Sequence, residues 1–266
     1  MSKIYFSLAS GRSGSAWLAE FLSTNLGFDA VHEPLGIEDF GTRMPSIRLM
    51  RSFNSYGSNQ EVRRFWQQKL DELPTDEPYA ETNHTLGKCG LIEAIADHPR
   101  APDTTVIVLR RSLSRQCASY INRHDFSNIT TLWQWYLTPQ YPSNIVNSAP
   151  FEKMGQSGTA LWYTLEMECR QTYYERLFGD RIRFVHAQLE EITRPQGAAA
   201  FLAELGHVAA PILPDKKNAS QIATSQDLVA KIDHMIAQLG FDPDGIVDRY
   251  LDTFGAVDVT KRTNAA

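Results

Sequence analysis

The run Thr104–Leu109, TTVIVL, constrains the fold of this chain more than any other segment. It is continuous and rich in β-branched residues, with no polar position after Thr105 to mark a solvent face. Such a strand needs cover on both faces, which it finds inside a parallel sheet with helices on either side. The rest of the chain supplies those partners. Lys3–Ala9, with Ile4, Phe6 and Leu8, reads as a strand closed by Ser10-Gly11. Trp17, Leu18, Phe21, Leu22 and Leu26 then recur at one-turn spacing until Gly27 stops the helix. Ala30–His32, ending at Glu33-Pro34, and Tyr79–Thr82 are short strands, and Arg181–His186 is a further one. Helices are predicted over Glu61–Leu73, Leu91–Asp97, Leu113–Asn122, Thr159–Leu177, Gln196–Leu205 and Ser225–Leu239. Strands alternating with helices predict an α/β fold, a three-layer sandwich whose central parallel sheet is flanked by helices.

A chain of 266 residues buries roughly three quarters of its unfolded surface in one core, so neither disulfides nor a structural metal are needed. No internal repeat or linker-like break is present, and residues 1–266 are expected to form one domain. Two stretches fit no clear period and read as long loops. Residues 36–60 are rich in Gly, Pro, Ser and Asn, with room for one helical turn. Residues 126–157 carry Trp133, Trp135, Tyr136, Tyr141 and three prolines.

The formal net charge is −5, from 26 Lys+Arg against 31 Asp+Glu, which argues against a nucleic-acid or anionic-membrane binder. A small anionic ligand stays open, since a few local cations suffice for it. Cys89, Cys117 and Cys169 are odd in number and widely spaced, and read as thiols in a reducing compartment. No Cys/His or carboxylate cluster has metal-ligand spacing, and no metal is expected. The apolar run at the N-terminus is too short for a signal peptide, and no stretch approaches the ~20 apolar residues of a membrane span. A cytoplasmic protein is the expectation.

Two segments carry chemistry. In the first, Gly11-Arg12-Ser13-Gly14-Ser15-Ala16-Trp17 stands between the first strand and its helix. Glycines there let the backbone turn its N–H groups inward, next to the positive end of the helix dipole. Arg12, Ser13 and Ser15 add donors, which makes a cradle for a phosphate-like group; an ordinary tight strand-to-helix turn is the other reading. The lysine of a Walker loop is missing, because Gly14 is followed by Ser15-Ala16, and this disfavours ATP or GTP hydrolysis. In the second segment, Arg111 ends the strongest strand, at the sheet edge where open parallel sheets bind ligands, and Ser119 follows eight residues later.

Taken together, the two segments resemble the sulfotransferase family. Arg12-Ser13-Gly14-Ser15-Ala16-Trp17-Leu18 is similar to that family's 5'-phosphosulfate loop, and Arg111 and Ser119 match its 3'-phosphate ligands at the same eight-residue spacing. Arg181–Leu189, Pro195 and Ala198–Gly206 resemble its later strand, acidic turn and helix, so the likeness covers roughly residues 3–206. Glu33-Pro34 resembles a feature frequent in bacterial members. The resemblance implies a P-loop nucleoside-triphosphate-hydrolase-like fold of sulfotransferase type. It also implies 3'-phosphoadenosine-5'-phosphosulfate as donor and adenosine 3',5'-bisphosphate as product, with Gly11 and Arg12–Trp17, Arg111 and Ser119 as nucleotide ligands. Three departures stand out. Ser15-Ala16 replaces a Thr pair, Leu113 stands where the family has Pro, and no Gly-rich nucleotide loop follows near the C-terminus. Lys216-Lys217-Asn218 is the candidate substitute for that loop.

Sulfuryl transfer needs a base for the acceptor's proton and positive charge at the leaving phosphate. Arg12 suits the second role. Glu33 is the first choice as base, a choice the resemblance supports because several family members use a glutamate. His32 is its neighbour, but adjacent strand residues face opposite ways, so only one of the two points into a site. His84 and His124 are the alternatives, since histidine titrates near neutral pH. The acceptor is expected to be a small molecule or carbohydrate bearing a hydroxyl or amine, held by the loops at 36–60 and 126–157. Phe40, Arg43, Arg48, Phe53 and Tyr56 in the first loop, and the aromatics of the second, are either its contacts or core fillers. A P-loop nucleotide kinase or NTPase, and a non-catalytic nucleotide-binding scaffold, remain the rival readings. Oligomeric state is not legible.

Overall fold

Alternate side chains of the central strands face different helical layers, and that alternation builds the molecule. A computed structural model describes residues 3–34, 36–127, 132–215 and 224–255. Five strands, β1 (Ile4–Leu8), β2 (Ala30–His32), β3 (Tyr79–Thr82), β4 (Thr104–Arg110) and β5 (Arg183–Gln188), form one sheet in the order β2-β3-β1-β4-β5. Every pairing is parallel, with Phe6 opposite Val106 and Val106 opposite Phe184. The helices are α1 (Ser15–Leu26), α2 (Ile47–Tyr56), α3 (Gln60–Asp71), α4 (Leu91–Ala96), α5 (Leu113–Asn122), α6 (Gly155–Phe178), α7 (Leu189–Ile192), α8 (Pro195–Glu204), α9 (Gln226–Gln238) and α10 (Pro243–Phe254).

On one face, Ile4, Phe6, Leu8, Val106 and Val108 pack with residues of α2 to α6, α9 and α10. On the other, Tyr5, Ile107, Leu109, Val185 and Ala187 meet Trp17, Leu18, Phe21 and Leu22 of α1 and Phe201 and Leu202 of α8. The TTVIVL strand is thus buried on both sides, as its composition requires. Its backbone needs satisfying where the strands part. The buried amide of Gln171, on α6, donates to Leu8 O at 2.9 Å and to Leu109 O at 3.2 Å, at the ends of β1 and β4.

Segment 36–60 departs from the expected loop. It contains α2, whose Leu49, Met50 and Phe53 point into the core while Ser46 caps its first turn. The described part of 126–157 holds two 3-10 helices, Leu132–Trp135 and Ala149–Met154, and the start of α6. Tyr136, Tyr141, Ile145 and Val146 are buried, and Glu166 of α6 accepts the amide N–H groups of Ile145 and Val146 at 2.9 and 2.8 Å. Helix α10 has no counterpart in the sequence reading. Among the described residues no helix is long and apolar enough to cross a membrane. The chain leaves β1 toward β2 on one side and leaves β4 toward β5 on the other, so the carboxyl ends of β1 and β4 flank the sheet's switch point.

Candidate active site

The loop after β1 turns sharply because Gly11, Arg12 and Gly14 all have positive φ, at 88°, 55° and 96°. Glycine suits the two outer positions. A Cβ on Gly14 would also stand 2.6 Å from Leu189 Cδ1, so a side chain there would displace Leu189 as well as strain the backbone. The first backbone bond of α1 runs from Leu18 N to Gly14 O at 2.9 Å, and no side chain caps the helix. The N–H groups of its first turn are therefore left with no intrahelical acceptor. Beside them, Ser13 Oγ is buried without a partner. Behind the loop, the Tyr120 hydroxyl donates to Ser10 O (2.6 Å) and Gly11 O (2.7 Å), and Gln116 Nε2 donates to Gly11 O (2.6 Å). Its carbonyls are thus tied back while the start of α1 stays uncapped, an arrangement suited to an anion.

Arg12 Nε donates to Ser119 Oγ at 3.0 Å, across 107 residues of sequence, and Arg111 Nη1 donates to Arg12 O at 2.8 Å. The two sequence segments meet at the switch point. Burial lowers the pKa of both guanidiniums, with Arg123 adding to the effect on Arg12, and both stay charged because arginine starts so high. Glu190, in α7 just after β5, accepts from Ser112 N at 3.2 Å and acts on Arg111 in the opposite sense.

Glu33 is not a strand residue. It lies just beyond β2 with φ 40°, and its N–H donates to Thr82 O at 3.2 Å. The expected alternation of His32 and Glu33 therefore does not govern the pair. His32 Nδ1 is engaged with Thr82 O (2.9 Å) and Thr82 Oγ1 (3.0 Å). Glu33 Oε1 lies 3.9 Å from His84 Nε2, and both side chains are partly accessible. His84 also packs on the loop itself, since a Cβ on Gly11 would lie 3.4 Å from His84 Cβ. Burial, with Lys88 second, holds the His84 imidazole well below its ordinary pKa. Lys88, whose Nζ is 2.7 Å from His84 Nδ1, escaped the sequence reading. A lysine in a Thr-Leu-Gly-Lys turn carries no mark of burial, and only a His at i and Lys at i+4 hinted at contact.

Arg12, Glu33 and His124 are the described non-glycine residues with positive φ. Arg12 and Glu33 belong to this edge, and His124 is exposed at the end of α5, next to the Arg123–Asp125 pair. Such conformations collect at functional sites. Lys216, Lys217 and Asn218 lie outside the described residues. The Phe40 and Trp135 rings meet with centres 6.0 Å apart and planes tilted by 50°, joining the two expected acceptor segments, whereas Phe53 is core and Tyr56 is exposed. A partly open pocket of about 80 Å³ sits between Tyr56, Glu93, Tyr141 and Arg170, and none of the strand-end residues lines it. Among the described residues no group of three or more His, Cys, Asp or Glu is arranged to hold a metal ion. In comparisons with known proteins, no family model matches the chain and no curated protein matches it.

Proposed function

We propose that the chain is a sulfotransferase that moves the sulfuryl group of 3'-phosphoadenosine-5'-phosphosulfate onto a hydroxyl or amine of a small-molecule or carbohydrate acceptor. The observation that carries this reading is the linked set Arg111–Arg12–Ser119 beside an uncapped helix N-terminus with a buried, unpartnered Ser13 hydroxyl. Two anion sites side by side fit a nucleotide with phosphates at both its 3' and 5' positions. The absence of a Walker lysine from the loop speaks against a kinase or NTPase of related P-loop-like fold.

The donor supplies the sulfuryl group: the acceptor oxygen bonds to sulfur as the bridging S–O bond breaks, and the electron pair leaves on the 5'-phosphate. The chain's residues do the rest. The N–H groups of Ser13–Trp17 and the Ser13 hydroxyl bind the 5' end, and Arg12 faces the charge that develops on the leaving oxygen. Arg111 and Ser119 hold the 3'-phosphate. Glu33 accepts the acceptor's proton, in line with the transfer.

Incubation with sulfur-labelled donor and a panel of sugars and alcohols, followed by mass spectrometry, tests the reading. Sulfated product and adenosine 3',5'-bisphosphate are expected in equal amounts. Donor that binds but stays intact with every acceptor would favour the non-catalytic scaffold instead.

A further inference from the structure

Lys88 is 0 % exposed, and a lysine is almost never found so deeply buried unless paired. Its Nζ lies 2.7 Å from His84 Nδ1 and 3.0 Å from the Tyr163 hydroxyl oxygen, to which it donates. It also stands 4.2 Å from the centre of the Tyr136 ring and 5.3 Å from that of Tyr163. Tyr163 donates its own proton to Ser10 O at 2.9 Å, and burial keeps that phenol well above its ordinary pKa. Its oxygen is therefore an acceptor toward Lys88.

The remaining proton is the one between Lys88 and His84. In water an amine outcompetes an imidazole by about 4 pKa units. Two aromatic faces favour the ammonium further. Burial holds Lys88 well below its ordinary pKa, with Glu33, the Cys89 thiol and Asp125 acting the other way, and it holds His84 well below its own, with Lys88, His32 and Arg123 adding to the effect. With both groups lowered, the intrinsic order of amine over imidazole and the two ring contacts assign the shared proton to Lys88. An ammonium has no lone pair, so His84 Nδ1 accepts and the ring hydrogen sits on Nε2. Nε2 is the atom that faces Glu33 Oε1.

We propose that Lys88 is a positioning residue that locks His84 as the neutral Nε2–H tautomer, so that His84 orients Glu33 and the carboxylate takes the acceptor's proton. Protonating His84 would set two cations 2.7 Å apart, one of them on the fully buried Lys88. The 3.9 Å between Nε2 and Oε1 exceeds a hydrogen bond, which is common for catalytic pairs before substrate arrives. Only the identity of the moving proton rests on the sulfotransferase reading; the tautomer does not.

The test is two-bond proton–nitrogen correlation NMR of the full chain with nitrogen-labelled histidine, the His84 signals being assigned with His84→Gln. A pyridine-type Nδ1 and a pyrrole-type Nε2 are expected, persisting well below the ordinary histidine range. Lys88→Met keeps most of the volume without the charge. In it, the tautomers should mix and the His84 titration should move up toward the ordinary range. Its kcat should fall, with little change in donor KM. An Nδ1–H tautomer, or an imidazolium at neutral pH in the unmutated chain, overturns the proposal, and that spectrum decides even where Lys88→Met folds poorly. If the unmutated chain fails to bind adenosine 3',5'-bisphosphate, the sulfotransferase reading falls while the tautomer result stands.

Discussion

Replacing Arg111 by alanine separates two jobs that one side chain holds. The guanidinium has five N–H donors, and one is spent on Arg12 O at 2.8 Å. The other donors remain for a phosphate, beside the Ser119 hydroxyl that Arg12 already touches. A charge-assisted hydrogen bond contributes about 1.5–3 kcal/mol, and two are lost with the 3'-phosphate contact. Partial exposure favours the lower end, so Arg111→Ala should cost roughly 3–4 kcal/mol for adenosine 3',5'-bisphosphate, about 10²- to 10³-fold in Kd. Adenosine 5'-phosphate lacks the 3' group and loses only the loop anchor. That is one hydrogen bond from the charged guanidinium to Arg12 O, about 1.5 kcal/mol at the lower end, or roughly tenfold. Calorimetric titration of both nucleotides against both proteins, at one fixed ionic strength, reads the difference directly. An equal loss for the two ligands would refute the reasoning, because Arg111 would then act only by holding the loop.

Glu33→Gln should lower transfer by about 10²- to 10⁴-fold while leaving bisphosphate binding unchanged, as seen by comparing labelled transfer with calorimetry. Lys69 and Glu81 form a buried ion pair at 2.6 Å, and Tyr79 donates to the same carboxylate oxygen at 2.6 Å. Lys69→Met should therefore destabilise the fold by about 3–5 kcal/mol in urea titrations, and the double change with Glu81→Leu should recover most of the loss. His84 has a folded pKa depressed by burial and by Lys88. Below the ordinary histidine value of about 6.5 the unfolded chain takes a proton that the folded chain refuses. Stability should then fall as pH drops through that point, by up to about 1.4 kcal/mol per pH unit, and His84→Gln should remove this component of a pH-dependent urea series.

Elements whose pattern is local were legible in the sequence. TTVIVL announces a doubly covered strand, and Trp17 to Leu26 announces α1, because burial there follows directly from side-chain order. Helix α2 was hidden by the Gly, Ser and Asn around it, although Leu49, Met50 and Phe53 form an apolar face inside that composition. Rules of local alternation misjudged His32 and Glu33, since β2 ends between them and Glu33 adopts a left-handed backbone. The meeting of Arg12, Arg111 and Ser119 follows from strand order, which no spacing encodes. Gln171 and Tyr163 act on the ends of β1 and β4 from the middle of α6, and Lys88 is buried between Tyr163 of α6, Tyr136 and His84. Those roles are tertiary and have no sequence signature.

Thermal unfolding with added nucleotide tests the central claim most directly, since a ligand that binds only the folded chain stabilises it by mass action. At 100 times its Kd, adenosine 3',5'-bisphosphate should add about 2.7 kcal/mol, raising Tm by roughly 5–10 °C. ATP with magnesium should leave Tm unchanged. A shift with ATP and magnesium and none with the bisphosphate would contradict the account.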